Sequence, residues 1–205
     1  MDVPVQTGSI IIDNKTGRIL SFVGGRDHQL EQLNHATQAY RSNGSTMKPL
    51  LAYAPALEYG VIGAGSPVVD VKFKRDYDDY EPVNYIPTQE LGIIPARQAV
   101  ASSQNLALLR LYDSILDRRP ATYLDKMGFS KLTEGDYVHL STAIGGITHG
   151  ATVEENTNAY TTFANEGKFI DAYMIERIED LDGNVIFEHK VEPVEVFSPE
   201  TAYMM

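Results

Sequence analysis

The chain has 205 residues, of which 43% are hydrophobic, so it is long enough to bury a core as one domain, either undivided or split into two lobes. Its 17 Lys and Arg residues against 28 Asp and Glu residues give a net charge of -11, which argues against a phosphate-neutralising surface for nucleic acid. Cysteine is absent and the five histidines lack metal-site spacing, so we expect neither a disulfide nor a metal site.

The first predicted element is a β-hairpin over residues 8–23. Two runs rich in β-branched and apolar residues flank the turn sequence DNKTG at 13–17, which has the composition of a tight connection between strands. This pattern predicts two paired strands near the start of the chain.

A buried helix is predicted next, over residues 47–59. Pro49 has no N–H to donate and fits only a first helical turn, and Gly60 is a typical C-terminal stop. Ser45 and Lys48 are therefore predicted to lie at or near the start of this helix.

The remaining elements follow from apolar spacing and from Gly and Pro positions. None of the apolar stretches approaches the roughly 20 residues that span a bilayer. In chain order the predicted elements are an irregular connection (60–94), a helix (95–101), a break (102–104), a helix (106–115), a short helix (120–127), a helix opened by a capping box (152–164) and a second hairpin (174–190).

Ser45 and Lys48 form an S-x-x-K motif. One helical turn brings a lysine amine beside a serine hydroxyl, and an amine whose pKa is lowered by burial can accept the hydroxyl proton. The motif is short and common, so Ser45 as a helix cap with a solvated Lys48 is the alternative.

Ser103, Gln104 and Asn105 form an S-x-N motif in the predicted break between two helices. At such a break the side chains of Ser103 and Asn105 can point toward a binding cleft. The alternative is that they only cap the second helix, a role both residue types often have.

S-x-x-K followed by S-x-N is the pattern of penicillin-binding proteins and serine β-lactamases. The surrounding sequence resembles the transpeptidase domain of class A penicillin-binding proteins over nearly the whole chain. The segments that carry the resemblance are TGRIL (16–20), VGG (23–25), NHATQA (34–39), GSTMKP (44–49), PVNY (82–85), RQA (97–99), GGI (145–147), AY (159–160) and FANEG (163–167).

The resemblance implies an α/β fold of the serine β-lactamase/transpeptidase type, an α+β sandwich. An antiparallel sheet flanked by helices is accompanied in that fold by an all-helical lobe. We expect residues 1–205 to be the N-terminal portion of one such domain and the fold to be incomplete within them. Residues 1–48 and 168–205 would belong mainly to the α/β lobe, and residues 49–167 mainly to the helical lobe.

The resemblance also implies roles for the two motifs in peptidoglycan D,D-transpeptidation. Ser45 would be the acylated nucleophile, Lys48 its proton acceptor, Ser103 a proton relay to the leaving amine, and Asn105 a hydrogen-bond partner of the donor peptide. Stem peptides and β-lactams would be the partners, with no cofactor and no nucleic acid. The family acts at the outer face of the bacterial cytoplasmic membrane, held there by a segment outside this chain.

The family requires a third motif, K-T-G, after the S-x-N. Lys15, Thr16 and Gly17 spell it, but they precede Ser45 and lie in the predicted hairpin turn, so we interpret them as a plain turn. We therefore expect a further polypeptide segment to supply K-T-G and complete the domain. The chain alone is expected to be nearly inactive, since loss of one oxyanion donor costs about a hundredfold or more in rate.

Two alternatives to a transpeptidase remain open at this point. A serine β-lactamase would need a base for deacylation, and Glu134 and Asp136 are the acids in about the right region, although their neighbours suit a solvated turn. A non-catalytic module of the same fold that binds peptidoglycan or a partner protein is the second alternative.

Overall fold

The structure is a computed structural model that describes residues 5–75 and 80–205. These residues form two compact units. Residues 5–41, 126–130 and 151–203 form the first unit. Residues 42–75, 80–125, 131–150 and 204–205 form the second.

The strands are short and pair antiparallel. Those of the described chain are β1 (Ser9–Ile12), β2 (Ile19–Val23), β3 (Pro67–Asp70), β4 (Gly92–Pro95), β5 (Lys168–Phe169), β6 (Arg177–Glu179), β7 (Val185–Glu188) and β8 (Val194–Glu195). The pairs are β1 with β2, β3 with β4, β5 with β8, and β6 with β7.

The helices are also short, and none among the described residues is long and apolar enough to cross a membrane. The α-helices are α1 (Ala54–Glu58), α2 (Ala96–Ala101), α3 (Asn105–Asp113), α4 (Thr122–Lys126), α5 (Val153–Ala164) and α6 (Pro199–Met204). Further helical turns are Gly44–Thr46, Leu116–Arg118, Glu134–Tyr137 and Leu140–Ile144, which are 3₁₀, and Pro49–Tyr53, which is π-helical.

The first unit is built on the β1–β2 hairpin and helix α5. The predicted hairpin is confirmed by the antiparallel pairing of β1 with β2. Ile10 and Ile12 of β1 are buried, while Ile11 between them is 57% exposed. Helix α5 packs against β1. The turn between the strands is closed by a 2.9 Å hydrogen bond from the Gly17 N–H to the Asp13 carbonyl, so the turn at 13–17 is confirmed.

The second unit has a helical core centred on α3. Helix α3 contacts β3, the 140–144 turn and the turn at Pro49–Tyr53. The buried helix predicted over 47–59 is confirmed, although its first part winds as 3₁₀ and π turns before α1. A π turn directly before α1 fits Pro55, which has no N–H for a regular α-helical hydrogen bond.

The prediction that residues 60–94 are irregular is wrong in part. Strands β3 and β4 lie in this segment and pair in register from Pro67 opposite Pro95 to Asp70 opposite Gly92. Each strand is only four residues long, and Gly, Pro and Asp around them obscure the period-two pattern. Residues 76–79 of the same segment lie outside the described residues.

The division into units differs from the lobe boundaries expected from the sequence. Residues 151–164, expected in the helical lobe, belong to the first unit because α5 packs on β1 and β5. Residues 42–48, expected in the α/β lobe, belong to the second unit. A pattern along one helix does not reveal which other element its apolar face contacts.

Candidate active site

Ser45 lies inside the 3₁₀ turn Gly44–Thr46, at the start of the helical run. The cap position of this turn is held by Asn43, whose side chain makes no capping hydrogen bond. Ser45 is exposed and lies one helical turn before Lys48. The interpretation of Ser45 as a helix cap is therefore wrong.

The backbone next to Ser45 is packed tightly against the GGI segment at 145–147. A Cβ added at Gly145 would lie 2.3 Å from the Gly44 nitrogen, and Gly145 has a φ of 91°, so this position requires glycine. The Gly145 carbonyl accepts a 2.6 Å hydrogen bond from Ser42 Oγ. These contacts fix the chain immediately before Ser45.

Lys48 is buried, with 3% of its surface exposed. Its Nζ donates to the Ser103 carbonyl at 2.6 Å and to Asn105 Oδ1 at 2.6 Å. Nζ also lies 3.0 Å from Ser103 Oγ. The structure thus brings Lys48 together with both residues of the S-x-N motif.

Burial lowers the pKa of Lys48 from 10.5 to about 8, although the nearby Asp70 carboxylate opposes this shift. At pH 7 a pKa of 8 leaves about a tenth of the amine neutral, against roughly one part in three thousand for an ordinary lysine. The two N–H groups of a neutral amine match the Ser103 carbonyl and Asn105 Oδ1, and its lone pair then faces the Ser103 hydroxyl at 3.0 Å.

Ser103 lies in the predicted break between α2 and α3, at a φ of 54° that non-glycine residues rarely adopt. The cap position of α3 is held by Gln104, which makes no side-chain capping bond. The side chains of Ser103 and Asn105 are directed at Lys48 instead. The interpretation of these two residues as mere caps is wrong.

Two buried polar residues behind Asn105 were not predicted to belong to the site. Asp70 ends β3 and is fully buried, and Asn84 is 4% exposed. Asn84 Oδ1 accepts a 2.8 Å hydrogen bond from the Asn105 backbone N–H. The sequence signals that could have drawn attention to them are an acid at the end of the apolar run PVVD and an Asn within PVNY.

The two acids considered for a β-lactamase base differ in their surroundings. Glu134 is exposed and pairs with Arg119 at 3.7 Å. Asp136 is buried, and its carboxylate accepts hydrogen bonds from the backbone and hydroxyl groups of Thr133 and Thr148. Burial alone would raise the pKa of Asp136, but these bonds outweigh it and lower the pKa. Asp136 is thereby held as a structural anion.

No group of three His, Cys, Asp or Glu side chains suited to a metal ion occurs among residues 5–75 and 80–205.

Lys15 and Thr16 lie in the hairpin turn, where Asp13 Oδ1 accepts hydrogen bonds from both backbone N–H groups.

Comparison with known families gives one match that covers almost the whole chain. Residues 7–205 match the model of the penicillin-binding protein transpeptidase domain. The chain belongs to this family. The class A resemblance of the motifs is confirmed by this match and by the relatives.

Two curated relatives of this penicillin-binding protein domain are representative. Penicillin-binding protein 4 of Bacillus subtilis (strain 168) is 34% identical over 197 residues, which cover 96% of this chain and 31% of that protein. Penicillin-binding protein 1A of Pseudomonas aeruginosa is 35% identical over 191 residues, covering 89% of this chain and 22% of that protein. The chain therefore spans less than a third of the length of these relatives.

Solved structures of penicillin-binding proteins confirm the predicted fold class. Penicillin-binding protein 1A from Haemophilus influenzae superposes with a TM-score of 0.81 at 22% identity, covering 99% of this chain and 34% of that one. The imipenem acyl-enzyme complex of penicillin-binding protein A from M. tuberculosis gives 0.79 at 18% identity, covering 97% and 55%. At these identities the likeness concerns the fold.

Proposed function

We propose that this chain is part of a peptidoglycan D,D-transpeptidase that works through a serine acyl-enzyme. The observation that carries the proposal is the buried Lys48 amine, held by Ser103 and Asn105 one helical turn after the exposed Ser45. An S-x-x-K and an S-x-N motif converge there on one amine with a lowered pKa, as acyl transfer at neutral pH requires.

Acylation begins when Ser45 Oγ attacks the carbonyl carbon between the two terminal D-Ala residues of a donor stem peptide. Lys48 Nζ accepts the hydroxyl proton as the Oγ–C bond forms, and the backbone N–H of Ser45 donates to the developing oxyanion. The C–N bond then breaks. Ser103 passes a proton to the leaving amine, which departs as D-Ala, while Asn105 binds the donor amide.

The acyl-enzyme is resolved by the amine of a neighbouring stem peptide. The new amide bond forms as the ester to Ser45 breaks, and the serine hydroxyl recovers its proton. Water in place of the amine gives carboxypeptidase activity. A β-lactam takes the donor's place, and its ring amide bond breaks to leave a long-lived ester on Ser45.

We also propose that a further polypeptide segment carrying K-T-G, in the same chain or in another, completes the domain. Apolar side chains on the β1–β2 hairpin support this, because Ile11, Leu20, Phe22 and Val23 are each at least 41% exposed. By the strand register, Ile11 and Val23 lie on one face of the ribbon and Leu20 and Phe22 on the other. A two-stranded ribbon with apolar side chains exposed on both faces is stabilised by further strands and by elements that pack on them. The complete protein would act at the outer face of the bacterial cytoplasmic membrane.

The proposal is tested with the full-length gene product and a pentapeptide substrate ending in D-Ala-D-Ala. We expect D-Ala release and cross-linked product, and we expect Ser45→Ala to lose both. Rapid nitrocefin turnover would instead indicate a β-lactamase. Peptidoglycan binding that persists in Ser45→Ala, with neither D-Ala release nor penicillin labelling in the wild type, would indicate a non-catalytic module.

A further inference from the structure

Asp70 and Asn84 form a buried pair directly behind the candidate active site. Asn84 Nδ2 donates to both carboxylate oxygens of Asp70, at 3.0 and 3.2 Å, and to the Gln89 carbonyl at 2.8 Å. Asp70 Oδ2 also accepts from the Leu91 N–H at 2.9 Å. Every side-chain polar atom of the pair has a hydrogen-bond partner, and both residues are almost completely buried.

The pair holds the start of helix α3. Asn84 Oδ1 accepts the N–H groups of Asn105 and Leu106 at 2.8 and 3.0 Å, and Asp70 Oδ1 accepts the Ala107 N–H at 3.3 Å. These N–H groups lack partners within the helix itself. A carboxylate at this end of the helix also complements the helix dipole.

The same segment sets the direction of the Asn105 side chain. Asn105 Nδ2 donates to the carbonyl of Val83, the residue just before Asn84, at 3.0 Å. With its NH₂ group bound on that side, Asn105 presents Oδ1 to the Lys48 amine at 2.6 Å. The position of Asn84 thus determines which atom of Asn105 meets Lys48.

We propose that Asp70 and Asn84 are positioning residues of the acylation site, which fix Asn105 so that its amide oxygen orients the Lys48 amine. The proposal rests on the proposed acyl-transfer function. It assigns neither residue a contact with substrate, because both act through Asn105 and Lys48.

An ordinary structural cap would affect only stability, so the test must measure something that stability does not move. Asp70 is the charge that opposes the lowering of the Lys48 pKa, while the groups that contact the amine, Ser103 and Asn105, are neutral. The Asp70 carboxylate also acts on Tyr53. Burial, and to a lesser extent this charge, raise the pKa of the Tyr53 hydroxyl, which therefore stays uncharged. Removing the Asp70 charge should therefore move the acid limb of acylation to lower pH.

The experiment measures the second-order rate constant for labelling by a fluorescent penicillin, from pH 6 to pH 10, with the full-length gene product. The variants are Asp70→Asn, Asn84→Asp and the double variant that exchanges the two side chains. Displacement of a reacting group by about 1 Å costs roughly a hundredfold in rate, so each single variant should label ten- to a hundredfold more slowly at the plateau. In Asp70→Asn the acid limb should also move to lower pH.

The exchanged pair restores one amide facing one carboxylate and an acceptor for the N–H groups of α3. We expect the exchanged pair to label clearly faster than the rate calculated by multiplying the rate reductions of the two single variants. Such non-additivity is typical of two residues in contact. If neither single variant folds, the exchanged pair is compared with wild type directly. A folded exchanged pair that labels within about tenfold of the wild-type rate supports the proposal, because two substitutions in contact can compensate for each other and keep Asn105 in position.

Asp136→Asn is the matched control, since Asp136 is a buried carboxylate in the same unit whose hydrogen bonds come from the backbone and hydroxyl groups of Thr133 and Thr148. It should lower thermal stability without moving the rate or the pH limb. The positioning role would be overturned if Asp70→Asn labelled at the wild-type rate with the wild-type pH dependence. It would also be overturned if the exchanged pair were stable but did not label. Absence of labelling in the wild type would instead refute the proposed function.

Discussion

Lys48 Nζ donates a 2.6 Å hydrogen bond to Asn105 Oδ1, so the S-x-x-K and S-x-N motifs share a direct bond through these two residues. The bond joins a cation with a lowered pKa to a neutral amide. The charge at position 105 is therefore expected to control the protonation of Lys48.

Asn105→Asp places a carboxylate against the Lys48 amine and should raise the lysine pKa. An opposite charge this close shifts a pKa by about one to three units, so acylation by penicillin at pH 7 should fall at least about tenfold and recover partly at higher pH. Ser102→Asp, which adds the same charge at an exposed position of the same break, is the control and should have a much smaller effect. Equal effects of the two variants would contradict this explanation.

The wild-type protein should show acylation that rises with pH through about 8, because the pKa of Lys48 is lowered to that value. Below this pH the amine is protonated and cannot accept the Ser45 proton, and above it the rate should level off. Stopped-flow acylation from pH 6 to pH 10 measures the curve. A rate that is still climbing at pH 10, with no levelling off above pH 8, would mean that Lys48 has an ordinary pKa.

Gly145→Ala should damage the site more than its conformational cost alone predicts. The new Cβ would collide with the Gly44 backbone next to Ser45. Gly60→Ala is the matched control, because Gly60 also has a positive φ but has nothing within 4 Å of its Cβ position. Both variants should lose about 1–2 kcal/mol for the left-handed backbone, and only Gly145→Ala should also lose acylation. Loss of acylation in both variants would show that the close contact between Gly145 and the Gly44 backbone is not the cause.

Thr152→Ala should lower the free energy of unfolding by about 1 kcal/mol, because Thr152 caps α5. Its Oγ1 accepts the Glu155 N–H at 3.0 Å, and Glu155 Oε2 accepts the Thr152 N–H at 2.9 Å. Thr152→Ser keeps the hydroxyl and should retain most of the stability. Urea unfolding monitored by circular dichroism measures both, and equal losses would show that the hydroxyl does not contribute.

Local signals predicted much of the fold. The turn at 13–17, the break before Asn105 and the capping box of Thr152 and Glu155 are confirmed, since each depends on residues within a few positions of one another. The β3–β4 pair was missed because its partners are four-residue strands more than twenty positions apart. Pairing over that separation leaves no periodic signal in a short strand.

The two motifs were enough to predict that Ser103 and Asn105 lie near Lys48, but they did not reveal the contacts that hold the amine. That Lys48 is buried, and that its amine meets both Ser103 and Asn105, depends on packing between distant segments. The Asp70–Asn84 pair is of the same kind. A single acid after an apolar run is compatible with a turn, and only its contacts with Asn84 and α3 show what it holds.

The central claim is that Ser45 is the residue that becomes acylated. The most direct measurement is tandem mass spectrometry of the full-length gene product after incubation with benzylpenicillin. We expect one added penicilloyl group per molecule, located on the peptide that contains Ser45 and absent from Ser45→Ala. A penicilloyl group on another residue, or equal acylation of Ser45→Ala, would contradict the account.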